Sequence, residues 1–326
     1  VKTALEKEDA NFRPINLKFL QGEFQESFDI FYKTEAFGAA KFVKFASASP
    51  EHQDKVRKLI EEKEGTEDFF IQAEDLMKYY SQATVHLREM IDDPNLSLKD
   101  KTIKIYDVSK DIMKDFFEFN ASPKILKSSE QVVEIMDECL STADADFHAL
   151  FTITSKDYYT YTHSVNVGLY CLGYGVKTKM GSNDIRDLGL GGMLHDVGKT
   201  QVDTTILNKN GKLTVEEFQA IKAHAPLGQE ILEGMKCHGA HVIDMAGQHH
   251  EQYGGNGYPK GLVGDEISHF ARICKVTDVY DALTTRRSYK KALRPFDALT
   301  VMGKEMQGEF DMEILGKFIK FMGPDL

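Results

Sequence analysis

One heptapeptide, Met193-Leu194-His195-Asp196-Val197-Gly198-Lys199, restricts this chain more than any other stretch. It sets a histidine and an aspartate side by side behind apolar residues (Leu188, Leu190, Met193, Leu194) that anchor a helix in a core. Neighbouring side chains on a helix diverge by about 100°. The pair therefore cannot stack, but it can grip one ion from two sides or bridge two. Gly198 reads as the helix end, and Lys199 puts a cation beside the pair. Taken alone, such a dipeptide is more readily a buried histidine with a capping aspartate.

The rest of the C-terminal half changes that weight. His163, His224, the pair His249-His250 followed by Glu251, and Asp278 recur at helix-sized intervals, and most of the chain's 11 histidines lie in this half. Histidine and carboxylates without cysteine make up a nitrogen/oxygen ligand set. Two ions fit this inventory better than one. His163, His195, Asp196 and Asp278 can hold the first; His224, His249 and His250 can hold the second, with Asp196 shared. The cysteines, Cys139, Cys171, Cys237 and Cys274, are far apart in apolar contexts and read as buried thiols.

On these residues the chain resembles the HD-GYP family, a branch of the HD phosphohydrolases. The carrying motifs are His163-Ser164, His195 through Lys199, His224 with Gly228, His249-His250-Glu251, Gly257-Tyr258-Pro259, Ala271-Arg272-Ile273, and Asp278 through Leu283. They run in order over residues 146–326, and although each alone is weak, their joint occurrence by chance is remote. The resemblance implies an all-α bundle holding two divalent ions, iron or manganese with zinc the alternative. It also implies a cyclic-di-GMP phosphodiesterase, in which a metal-bridged hydroxide opens one 3′–5′ phosphodiester to give linear pGpG. Asp196 and Lys199 would be catalytic. Lys199 would hold a phosphate oxygen; Tyr258, Asp281, Arg287 and Lys290 would contact the substrate. Arg286 through Lys291 with Arg294 is the most basic cluster of the chain.

The chain departs from the family pattern in places. Gly254 stands where the family usually has Asp, Ser288 where it has Pro, and Ala225 where it prefers Pro. Members with a third ion carry Glu one turn before the first histidine; here that position is Tyr159, so two ions are expected. The Gly254 change keeps a competing reading open: a catalytically weak or inactive cyclic-di-GMP receptor or scaffold that binds diguanylate cyclase (GGDEF) partners. Another HD hydrolase acting on mononucleotides is a third reading, disfavoured by Tyr258 and Arg287.

At 326 residues the chain exceeds the usual domain size of about 150, and the expected fold class is a two-domain protein. Residues 1–95 read as a small α+β sensory or interaction domain. Its strands are expected over Phe12–Leu20, Phe28–Lys33, Phe42–Phe45 and Phe69–Ile71. Its helices are expected over Ser49–Gly65 and from Leu76 to near Pro94. Residues 96–145 read as a helical linker around Pro123. Its apolar faces suit core packing, or more pointedly a homodimer or signal-relay coil. Residues 146–326 form the all-helical HD-GYP domain. A net charge of −11 excludes nucleic acid as a general partner. With no apolar run of membrane-span length and no signal-peptide pattern, a cytoplasmic location is expected.

Overall fold

The computed structural model describes residues 11–21, 27–36, 39–49, 52, 54, 56, 58, 69–119, 121–141, 154, 159–209, 211–286 and 291–323. The chain divides into two compact units, Val1–Ser97 and Leu98–Leu326. Among the described residues no helix is long and apolar enough to cross a membrane.

The first unit is built on an antiparallel sheet of β1 (Phe12–Pro14), β2 (Phe28–Ala36), β3 (Ala39–Ala48) and β4 (Phe69–Gln72), ordered β1-β4-β2-β3. Alternation sets its buried face: Phe28 and Ile30 on β2, Phe69 and Ile71 on β4. Helix α1 (Leu76–Ile91) buries Leu76, Tyr79, Tyr80, Ala83 and Leu87, one face at helical spacing. The expected extended run from Phe12 to Leu20 is cut short. Asn16 accepts the Lys18 N–H (3.0 Å) and caps a 3-10 turn over Leu17–Leu20, while the Tyr79 hydroxyl accepts the Asn16 N–H (3.0 Å). Most of the expected Ser49–Gly65 helix lies outside the described residues.

The second unit is helical, and it begins earlier than the expected linker ends. Helices α2 (Leu98–Glu118) and α3 (Pro123–Ser141) pack on the bundle itself: α2 on α4 (Thr160–Lys177), α3 on α5 (Ser182–Leu194). Their stripes, Ile105, Ile112 and Phe116 on one and Val132, Val133, Met136 and Leu140 on the other, are buried within this unit.

After α5 comes a 3-10 turn, Val197–Gln201. Then follow α6 (Thr204–Leu207), α7 (Val215–Lys222), α8 (His224–Gly234), α9 (Ala240–Gln248), α10 (His269–Thr284), α11 (Pro295–Lys304) and α12 (Met312–Met322). A capping box, Thr214 with Glu217, starts α7. Between α9 and α10 the only described pairing is one bridge, Gly254 to Val263. The architecture is thus mostly helical, with a small antiparallel sheet toward the N-terminus.

Candidate metal centre

Five segments deliver the chemistry. His163 comes from α4, His195 and Asp196 from the turn after α5, His224 from the start of α8, His249-His250 from the end of α9, and Asp278 from α10. Each sits where an apolar face has already been buried, so the side chains project into a desolvated interior.

Three rings are fixed by the backbone. The Nδ1–H of His195 donates to Gly192 O (2.7 Å), that of His224 to Ile221 O (2.6 Å), and that of His249 to Met245 O and Ala246 O (both 3.0 Å). Each ring then turns an Nε2 lone pair inward. The Nε2 atoms of His224 and His249 are 3.2 Å apart. Two lone pairs cannot bond one another, and both face Asp196 Oδ1, at 3.3 and 3.8 Å. Asp196 Oδ1 and His195 Nε2 are buried without a hydrogen-bond partner.

Ligand atoms fall into two groups, His163-His195-Asp196 and Asp196-His224-His249-His250, each within 4.8 Å, and Asp196 belongs to both. Asp278 joins the first, its Oδ1 3.2 Å from His163 Nε2. All the residues expected to ligate are therefore brought together.

Electrostatics match this donor set. Burial works to raise the Asp196 carboxyl, but the Lys199 ammonium and the His195 and His224 rings outweigh it and hold it well below the usual range. Burial likewise opposes ionisation of Asp278, and the His163 hydrogen bond and neighbouring imidazoles overcome it. Burial lowers His224, His249 and His250, which keeps them neutral. Ionised carboxylates, neutral imidazoles and unsatisfied inward lone pairs fit divalent cations.

A pH dependence follows from the same shifts. In the unfolded chain these imidazoles protonate near 6.5, whereas the folded ones resist it. As pH falls below that value the unfolded state binds more protons, so folding stability decreases. Chelator-treated protein should accordingly show a Tm that drops on going from about pH 7.5 to about pH 5.5 by differential scanning calorimetry. A flat profile would mean that these rings are not held neutral.

Lys199 donates to Asp196 Oδ2 and is mostly buried. Tyr258 stacks on His250, with ring centroids 4.7 Å apart, and burial raises its hydroxyl pKa. Asp281 is placed differently from the expected substrate contact. It is buried behind His163, with Oδ2 2.7 Å from Nδ1 and Oδ1 accepting from Asn166 Nδ2 (2.8 Å) and Thr285 Oγ1 (3.1 Å). Both of its oxygens are engaged inside the bundle, on the side of the His163 ring away from Nε2. Arg287 and Lys290 lie outside the described residues, as does Ser288.

Glu251, the last residue of its motif, is buried and holds the next loop, its carboxylate accepting the Lys260 N–H (2.7 Å) and the Leu262 N–H (3.1 Å). One contributor is not evident from sequence. Lys222 places Nζ 4.9 Å from the Tyr258 ring and 4.8 Å from that of Phe218, which is 45% exposed. The signal for Lys222 is a lysine one turn after an aromatic on a short helix, but such spacing is common on solvated faces.

At the departures, Gly254 N–H donates to Gly308 O (2.8 Å), and a Cβ there would stand 3.1 Å from that oxygen, so the loop lies closely on the 306–309 turn. Ala225 is buried in the first turn of α8. Tyr159 is exposed and stacks on Tyr161.

A family model described as HD domain matches residues 151–314. A cyclic di-GMP phosphodiesterase of Pseudomonas aeruginosa is 38% identical over 60% of this chain and 47% of its own length. A 3′3′-cGAMP-specific phosphodiesterase of Vibrio cholerae is 35% identical over 54% of this chain and 37% of its own. The chain thus spans half or less of these relatives. Bd1817, an HDG"Y"P protein from Bdellovibrio bacteriovorus, shares the fold, with a TM-score of 0.69 over 96% of this chain and 99% of that one, at 16% identity.

Proposed function

The chain belongs to the HD domain family, in its HD-GYP branch, and from that premise we propose that its metal centre is the active site of a cyclic-dinucleotide phosphodiesterase, with cyclic-di-GMP the favoured substrate. The observation that carries this reading is the convergence of inward Nε2 lone pairs on both sides of Asp196. His163, His195, Asp196 and Asp278 would hold one ion, and His224, His249 and His250 a second, with Asp196 between them. The oxygen/nitrogen donor set favours iron or manganese, with zinc the alternative. Ions held there would supply Lewis acidity toward a phosphodiester.

The protein's own part is to bind and orient. Lys199 is the cation nearest Asp196, so it is suited to a non-bridging phosphate oxygen. The Tyr258 ring and exposed Phe218, with Lys222 between them, suit a base that enters from solvent. Arg287 and Lys290 are assigned to the substrate on their motif alone. In the reaction water adds to phosphorus, the P–O3′ bond breaks, O3′ leaves with a proton, and the phosphate stays on the 5′ side, giving pGpG. Residues 1–95 would serve as a sensory or interaction domain.

The test is hydrolysis of cyclic-di-GMP, 3′3′-cGAMP and a mononucleotide by protein loaded with Mn²⁺, Fe²⁺ or Zn²⁺, with products identified by chromatography. The linear dinucleotide as product supports the reading, and the relative rates assign the substrate. Binding of cyclic-di-GMP without product under every metal would favour a receptor that docks diguanylate cyclase partners. The close seat of Gly254 on Gly308, where the family has Asp, is the observation that keeps that second reading.

Within this proposal Lys199→Ala should retain the bound ions while slowing turnover. A charge-assisted hydrogen bond contributes about 1.5–3 kcal/mol, a loss of roughly ten- to a hundredfold. Metal analysis alongside steady-state kinetics checks it, and unchanged kinetics would place the phosphate elsewhere.

A further inference from the structure

A buried chain of hydrogen bonds leads away from the metal centre to a helix with none of its ligands. His163 Nδ1–H donates to Asp281 Oδ2 (2.7 Å). Asp281 Oδ1 accepts from Asn166 Nδ2 (2.8 Å). Asn166 Oδ1 accepts from the Tyr106 hydroxyl (2.6 Å). All four side chains are buried. Tyr106 lies on α2, outside residues 151–314 matched by the family model.

The chain has one workable direction. A tyrosine hydroxyl that donates to Oδ1 leaves the Asn166 amide nitrogen toward Asp281. The flipped amide would set an oxygen against a carboxylate at hydrogen-bond distance, an unpaired clash in a desolvated place. With its amide so fixed, Asn166 holds Asp281, and Asp281 accepts from Nδ1 and so turns the His163 Nε2 toward the centre. That Nε2 is 3.2 Å from Asp278 Oδ1 and 3.8 Å from Asp196 Oδ2. Outer partners of this kind commonly tune metal affinity as well as ligand orientation.

We propose that Tyr106 is a positioning residue for the metal centre, acting through Asn166 and Asp281 to hold His163 in its ligating orientation. This rests on the metal-centre reading above. It gives α2, which starts at the first residue of the second unit and packs on α4, a polar link to the site. A displacement of α2 would act on the His163 side of the centre and leave the side of His224, His249 and His250 untouched.

The test is metal binding, with no turnover required. Tyr106→Phe keeps the ring and deletes only the hydroxyl. Co²⁺ titrated into metal-free parent and variant, followed by calorimetry and by its visible absorption, reads affinity and geometry separately. In the variant one of two binding steps should lose roughly three- to tenfold in affinity, below the range seen for direct outer-shell partners because the effect passes through two residues. The other step should be unchanged, and the visible band should shift. Asn166→Asp faces the Asp281 carboxylate with a second carboxylate; the same step should lose more. It provides the reading if Tyr106→Phe lowers Tm too far for titration. A parent that takes up Co²⁺ with both variants matching it in affinity and spectrum overturns the inference alone. A parent that takes up no Co²⁺ overturns the metal-centre reading, and the inference with it.

Discussion

Asp196→Ala should abolish cyclic-dinucleotide hydrolysis and strip the centre of its ions. The carboxylate is the one ligand shared by both groups, so its loss removes an anion from each side at once. What remains is a set of imidazoles around the His224–His249 pair of Nε2 atoms 3.2 Å apart, with Asp278 the carboxylate left beside them among the described residues. Neutral nitrogens alone do not compensate the dehydration of a divalent cation as a carboxylate does. Turnover should fall by at least about a thousandfold, or about 4 kcal/mol.

A second readout does not depend on turnover. An ion at about 100 times its Kd stabilises the fold by about 2.7 kcal/mol, which raises Tm by roughly 5–11 °C in a unit of this size. The parent should show that rise with Mn²⁺, and Asp196→Ala should not. Metal analysis together with calorimetry in the presence and absence of Mn²⁺ decides the matter. A variant that keeps both ions and its Mn²⁺-dependent rise would remove Asp196 from the shared position.

The residues that converge on the candidate centre are legible in the sequence because metal chemistry, where it occurs, leaves a strong trace there. Histidine is scarce, and several of them at helix-sized spacing beside carboxylates seldom occur together for any role but ligation. Amphipathic stripes locate the helices, and period-two apolar runs the strands. What stays illegible depends on contacts distant in sequence. Tyr106 is indistinguishable from a core aromatic until α2 is laid on α4, because its partner Asn166 is 60 residues away. Asp281, at i+3 from a ligand, has the spacing of a second arm into the substrate pocket. Helical geometry instead turns it behind His163, 118 residues earlier in the chain. The linker expected over 96–145 rests on helical stripes whose partner no local pattern names; they are covered by α4 and α5.

Gly198 shows the same limit most sharply, and carries the second large effect. Its sequence context suggests a helix end, yet α5 stops at Leu194, and Gly198 lies inside the 3-10 turn that follows. The reason for glycine is proximity. A Cβ at this position would stand 1.9 Å from His224 O and 2.6 Å from Gly228 N, both backbone atoms of α8. No rotamer change relieves such an overlap, because neither neighbour is a side chain. Gly198→Ala should therefore push the turn carrying His195 and Asp196 away from the helix carrying His224. The expected cost is about 3 kcal/mol, the upper end for overpacking, a Tm lower by roughly 6–12 °C.

A loss of ion affinity should accompany the loss of stability. A separation of a few tenths of an ångström between the turn and α8 widens the gap between Asp196 Oδ1 and His224 Nε2, now 3.3 Å, and both belong to one ligand group. Below its Tm, Gly198→Ala should therefore bind the ion of the His224 group at least about tenfold more weakly, the scale on which supporting contacts alter metal affinity. Calorimetric Tm and a Co²⁺ titration at a temperature where the variant is folded separate the two effects. A variant with parental Tm and parental affinity would mean that the turn and α8 do not meet at Gly198. A lowered Tm with parental affinity would mean that the turn yields without moving Asp196, and that the ligand group tolerates a shift of its support.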